Sequence, residues 1–208
     1  MKIGNKTSIV LSVIVVLLPI LVGIYFLPNL PEQVAVHWGL NGQADRWASR
    51  ESLVFGIPLF MTVIQLIILI IVSSRFVKHP LPKMAYVVRW LIPVLSWVVT
   101  LTSLYVGLGQ PLDMGMVGTG IAGLILIIMG YFIPSTPMNQ KKKRLFRNFT
   151  NEQSYNHVMR VISNTMMTVG ALIFASMFFA PIVSAVTILG GIALIIFVTF
   201  STTFRALD

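Results

Sequence analysis

Over most of this chain the apolar positions alternate with polar ones at neither the helical nor the strand period; they run on without a break. Six windows contain no Asp, Glu, Lys or Arg: Ile9–Leu27, Leu53–Val72, Trp90–Leu108, Met114–Ile133, Val161–Ala180 and Ile182–Phe200. A helix rises about 1.5 Å per residue and needs about 20 apolar residues to cross bilayer hydrocarbon, so each window predicts a transmembrane helix. The last two meet at Ala180-Pro181. As one helix, Val161–Phe200 would run about 60 Å, twice the hydrocarbon thickness. Proline also disfavours helix at the residue before it, so a tight helical hairpin is predicted there.

The polar remainder falls mainly in two places, residues 28–52 and residues 134–160. In the first, Leu27-Pro28 and Leu30-Pro31 end the first span and hold the chain extended. The stretch QVAVHW, residues 33–38, alternates with β-branched content and predicts a short strand. Asn41-Gly42 is a turn signal, and Ser49 or Ser52 is placed to cap the second span. The segment therefore predicts a small ordered lid.

Composition agrees with a membrane protein. The 208 residues are 56% hydrophobic and 10% charged, with mean hydropathy +0.88, whereas soluble domains carry roughly 25% charged residues. There is no cysteine, which excludes disulfides, thiolate metal sites and a cysteine nucleophile. The expected fold is all-α: a single integral domain of six transmembrane helices.

Charge gives the orientation. With the N-terminus in the cytoplasm, all of the 15 Lys and Arg except Arg46 and Arg50 fall on the inner side, and Glu32, Asp45, Glu51 and Asp113 fall outside. The positive-inside rule then places both termini in the cytoplasm and segment 28–52 outside. A signal peptide is the competing reading of the first window; its apolar run is too long and no small-x-small cleavage site precedes Pro28. It reads as a retained span. The run KKKRLFR (Lys141, Lys142, Lys143, Arg144 and Arg147) carries much of the net charge of +9. In a cytoplasmic loop it is attracted to anionic lipids and fixes topology, which accounts for the basic pI without nucleic acid.

The windows hold no ionisable residue, which argues against a proton-coupled transporter or cation pump. Gln65 and Asn164, the latter near the cytoplasmic end of the fifth window, read as interhelical hydrogen-bonding residues. Gly115, Thr119 and Gly123, with Gly118 and Ala122 beside them, give small residues at four-residue spacing, repeated weakly by Ala171 and Ala175. Both sets read as internal helix packing, ahead of the alternative of a dimer interface. Pro19, Pro58 and Pro93 read as kinks or helix starts with no specific implication. There is no internal repeat.

In the outer segment, Trp38 and Trp47 suit the headgroup level. His37 has three readings: a hydrogen bond to backbone or to Asp45, contact with an external ligand, or a metal site with Glu32 or Asp45. One histidine and scattered carboxylates fall short of a zinc site. No metalloprotease HExxH and no nucleophile elbow occur, so no catalytic residue, metal or cofactor is expected. Asp45 and Arg46 can pair with each other or with a partner. Two other classes remain open: a metal-dependent membrane enzyme on His37, Glu32 and Asp45, and a small transporter or flippase with a cleft of Gln65, Thr100, Tyr105 and Asn164.

The stretch LPNLPEQVAVHWGLNGQADRWAS resembles the N-terminal signature of the bacterial SdpI family, with Leu27, Pro28, Pro31, His37, Trp38, Gly42, Asp45 and Ser49 at its spacing. In the second half, MGYFIPSTPMN is similar to a family segment at Gly130, Pro134 and Asn139. TNEQSYNHVMR is similar to another at Asn151 and Glu152, with Tyr155 standing for a tryptophan. Between them the family carries Gly-Ile-Arg-Thr-Pro-Trp-Thr, where this chain has KRLFRNF. The resemblance implies a multi-pass plasma-membrane protein conferring immunity to a secreted toxic peptide; some members also sequester a transcriptional repressor. It implies ligand contact at His37, Trp38, Gly42 and Asp45, and the same outward segment offers Asn41, Arg46 and Trp47 as further contacts. On the cytoplasmic side partner contact is expected at Asn151 and Glu152, which match the family segment, and, from their charge alone, at the basic residues Lys141, Lys142, Lys143, Arg144 and Arg147.

Overall fold

The computed structural model describes residues 5–39, 42–76, 83–135 and 152–205. Among these, six helical stretches are long and apolar enough to cross a membrane, and the only sheet is a two-stranded hairpin. The all-α transmembrane class therefore holds. The helices gather into two compact units, the first covering residues 1–81 and 85–114, the second residues 82–84 and 115–208.

In the first unit, α1 (Asn5–Leu17) and α2 (Pro19–Phe26) form one broken span. The hairpin β1 (Gln33–Trp38) and β2 (Ala44–Ser49) follows, then a π-helical turn Ser52–Gly56 leading into α3 (Ile57–Phe76), and α4 (Lys83–Gly107). Gly109, at φ +80°, closes α4: its N–H reaches the Val106 carbonyl at 2.9 Å and that of Gln110 the Tyr105 carbonyl at 3.2 Å. This is a Schellman ending, which needs a left-handed residue and so a glycine.

Prolines organise this unit. Pro19 has no N–H, so the carbonyl of Val15, four residues earlier, loses its helical donor. The Trp97 indole N–H on α4 donates to it at 3.1 Å, and the neighbouring Ser96 hydroxyl donates to the Val16 carbonyl at 2.8 Å. Pro93 lies inside α4 and deprives the Arg89 carbonyl in the same way. Here Gln65 of α3 supplies the donor: its Nε2 reaches Arg89 O at 3.0 Å and Ser12 Oγ at 2.9 Å. Bilayer hydrocarbon offers no water to an orphaned carbonyl, so these side chains tie three helices together at their breaks. Pro19 and Pro93 thus have a specific consequence that hydropathy does not carry.

The second unit holds α5 (Met114–Phe132), α6 (Glu152–Ser176) and α7 (Pro181–Arg205). Helices α5 and α6 cross antiparallel with their backbones in contact. A methyl group on Gly123 would lie 2.6 Å from the Phe174 backbone nitrogen and 2.7 Å from the Gly170 carbonyl oxygen. Nearer the other end of the crossing, Ser163 donates its hydroxyl to the Gly130 carbonyl at 2.8 Å. The chain turns after Ser176 and restarts at Pro181, and the Ser184 hydroxyl closes that turn onto the Ser176 carbonyl at 2.9 Å. Gly191 of α7 packs against Val169 of α6.

Several readings are corrected. Helix α4 begins at Lys83 rather than Trp90, so an ionisable residue, Arg89, does lie within a spanning helix and is wholly buried. Its guanidinium sits 5.7 Å from the Tyr86 ring centroid. Helix α6 begins at Glu152, so residues 152–160 are helix rather than loop. The reason is shared: Lys, Arg, Glu and Gln are good helix formers, and charge ends an apolar window without ending a helix. Asn164 consequently lies midway along α6 and is exposed; the interhelical bond is made by its neighbour Ser163. Gly118 faces open space, and Ala171 and Ala175 are exposed, so neither belongs to the α5–α6 contact.

Candidate functional site

The hairpin carries the residues the sequence singles out. Its strands pair antiparallel, Gln33 opposite Ser49, Val34 opposite Ala48 and Ala35 opposite Trp47, then His37 opposite Arg46 and Trp38 opposite Ala44. Val36 and Asp45 are each left without an opposite residue, one extra on each strand. Such paired irregularities re-aim side chains. They bring Asp45 to His37, whose Nδ1 lies 2.6 Å from Asp45 Oδ1 although both side chains are half exposed. The hydrogen-bond reading of His37 is therefore the one the geometry shows.

At the closing turn Gly39 N–H donates to the Gln43 carbonyl and Gly42 N–H to the Gly39 carbonyl, each at 2.9 Å. Gly42 takes φ +75°, which favours glycine. Asn41 lies outside the described residues. Trp38 is partly covered, Arg46 is exposed, and Trp47 is 59% exposed. An open indole beside a fixed imidazole–carboxylate pair combines apolar contact area with a directional hydrogen-bonding group.

What makes this surface firm is its seat. Val34, the more deeply buried of two buried residues in β1, packs with Leu30, Leu53, Val54 and Leu104, and Phe26, Ile57 and Leu108 pack around them. Gly107 lets the hairpin settle on the end of α4, since a methyl group there would lie 2.9 Å from Leu30 Cδ2. Arg50 Nη1 donates to the Leu30 carbonyl at 3.1 Å, and Arg50 N–H to the Glu32 carbonyl at 3.2 Å. Ser49 is the helix cap: its Oγ accepts the Ser52 backbone N–H at 3.2 Å, three residues on. Glu51, which pairs with Arg50 Nε at 3.2 Å, has its carboxyl held below the usual carboxylate value by backbone hydrogen bonding and by that guanidinium.

The other proposed groupings fare differently. Among the described residues no cluster of three or more His, Asp or Glu could hold a metal ion. Gln65 and Thr100 are enclosed while Tyr105 is exposed, so these three do not line one cleft. On the cytoplasmic side Lys141, Lys142, Lys143, Arg144, Arg147 and Asn151 lie outside the described residues, and Glu152 opens α6. Tyr155, read as standing for a tryptophan, is buried beside Val158. Hydropathy gives no role to Ser12, Ser96 or Trp97, and gives Arg89 only that of a cytoplasmic charge. The signal available was the prolines: the residue four before each names the carbonyl that needs a donor.

Fold and site together define a multi-pass helical membrane protein that displays an ordered hairpin between its first two spans. The model of a protein family, the domain of unknown function DUF1648, matches residues 14–62, which hold most of the first span, the whole hairpin and the start of α3. No curated protein and no solved structure matches the chain.

Proposed function

We propose that the chain is a non-enzymatic immunity protein of the SdpI kind in a bacterial plasma membrane, and that its extracytoplasmic hairpin meets a secreted toxic peptide. The observation that carries this reading is the hairpin itself: His37 bonded to Asp45, with Arg46 and Trp47 displayed, on a seat made of buried Leu30, Val34 and Leu53. A peptide that attacks membranes presents apolar and charged groups together at headgroup level. An exposed tryptophan and a rigid polar pair, pre-ordered by the seat, bind such a ligand without a large ordering cost. The positive-inside charge pattern supports the outward placement of this surface.

On the cytoplasmic side the basic segment Lys141–Arg147 holds the chain to anionic lipids and offers a surface to a repressor. The test is protection. Expressed in a toxin-sensitive bacterium challenged with the cognate peptide, the wild-type chain raises survival, and His37→Ala or Asp45→Ala abolishes that gain at equal membrane abundance. Unchanged killing by wild type at good expression refutes the immunity reading. Full protection by both variants removes the hairpin from it.

A further inference from the structure

Helix α6 has three sides. One meets α5 through Ser163 and Gly170, and a second meets α7 through Val169. The third is exposed and carries Gln153, His157, Arg160, Asn164 and Thr168 at steps of four, three, four and four residues. Those steps keep all five on one face. From Gln153 to Thr168 the row covers about 22 Å of helix. Asn164 stands at the middle of this 25-residue helix, about 18 Å from either end. Gln153, His157 and Arg160 belong to the cytoplasmic end of this helix, whereas Asn164 and Thr168 lie within its apolar part, where hydrocarbon gives an amide no partner. Ala171 and Ala175 continue the same face towards the other end, also exposed.

We infer that this face of α6 is the contact between two copies of the chain, a parallel pair about a two-fold axis along the membrane normal. Two copies inserted in one bilayer share orientation and depth, so each residue of the row meets its own counterpart. Asn164 suits that: an asparagine amide both donates and accepts, and two of them at equal depth complete each other's hydrogen bonds. Arg160, which would repel its counterpart head-on, has the Asn164 and His157 of the other copy one turn away as acceptors. The two alanines at four-residue spacing allow the backbones to approach where the row becomes apolar. The inference rests on α6 alone and is independent of the immunity reading.

The chain has no cysteine, so single cysteines report without background. Asn164→Cys and Arg160→Cys are compared with Leu189→Cys, on an open side of α7 at 67% exposure. Oxidative cross-linking in native membranes, with two differently tagged copies co-expressed, is expected to give a mixed-tag disulfide dimer at least about tenfold stronger at 164 than at 189. Asn164→Leu is expected to weaken association in detergent about fivefold or more, the range of one membrane-buried polar contact, with an unchanged melting profile of the monomer. Cross-linking at 164 no stronger than at 189 overturns the proposal. So does reaction of the cysteine at 164 with a membrane-impermeant maleimide, which would make the face the wall of a water-filled cleft.

Discussion

Replacing Trp97 with phenylalanine removes a single N–H and keeps an aromatic ring, and it tests whether the proline breaks are held by side chains. The Val15 carbonyl has no backbone donor because residue 19 is proline, and the Trp97 indole fills that place at 3.1 Å. Without it the carbonyl stays unpaired within the bilayer, at a cost of about 1–2 kcal/mol. The decisive arm is the background. Pro19→Ala restores an N–H at position 19, which can take the Val15 carbonyl in the ordinary helical way. In that background Trp97→Phe is expected to cost less by about 1 kcal/mol, because the packing change of indole to phenyl cancels in the cycle and only the hydrogen bond differs. Unfolding in mixed dodecylmaltoside–SDS micelles, followed by far-ultraviolet circular dichroism, measures all four free energies. Equal cost of Trp97→Phe in both backgrounds refutes the reasoning. The second break repeats the test independently, with Gln65→Leu measured in wild type and in Pro93→Ala, since an alanine at that position returns a donor to the Arg89 carbonyl.

Three further outcomes follow from contacts already described. Gly123→Ala is expected to destabilise by about 1–3 kcal/mol, because the methyl group meets α6 backbone rather than a movable side chain, while Gly118→Ala, with nothing within 4 Å, stays neutral or stabilises slightly; the same micelle titration compares them. Ser49→Ala removes the cap of the second span at about 0.5–2 kcal/mol, read as faster hydrogen exchange at the Ser52 amide. Glu51 has a folded-state pKa depressed below its unfolded value, so the stability it adds is present at neutral pH and is lost as pH falls through the folded pKa. The melting temperatures of wild type and Glu51→Gln should therefore differ at neutral pH and converge in the acid range; a gap that persists there contradicts the assignment.

The hairpin shows how far local pattern reaches. QVAVHW alternates, carries β-branched residues and follows two prolines, and it forms β1 over those same residues. Gly42 announces the turn because only glycine enters its backbone region freely. The bond between His37 and Asp45 is half legible: both residues stand out, yet their meeting depends on an unopposed residue in each strand, a register feature that no run of letters carries. Asn164 teaches the opposite lesson. It stays near the cytoplasmic end of its apolar window, yet the helix starts at Glu152 and so places it midway along the helix itself, because polar helix formers prolong a helix beyond its apolar part.

By itself the sequence determined the number of spans, the place of the ordered hairpin and, through its Lys and Arg, the sidedness those spans are expected to take. These are properties of transfer free energy and local backbone preference, and they add up residue by residue along the chain. Only the tertiary structure decided which groups meet. It gave the carbonyls freed by Pro19 and Pro93 to Trp97 and Gln65, set Gly123 against Gly170, enclosed Arg89, and left one polar side of α6 open. Those partners lie tens of residues apart and become neighbours only when helices pack, where a missing hydrogen bond or a single methyl group costs as much as many residues of hydropathy can offset.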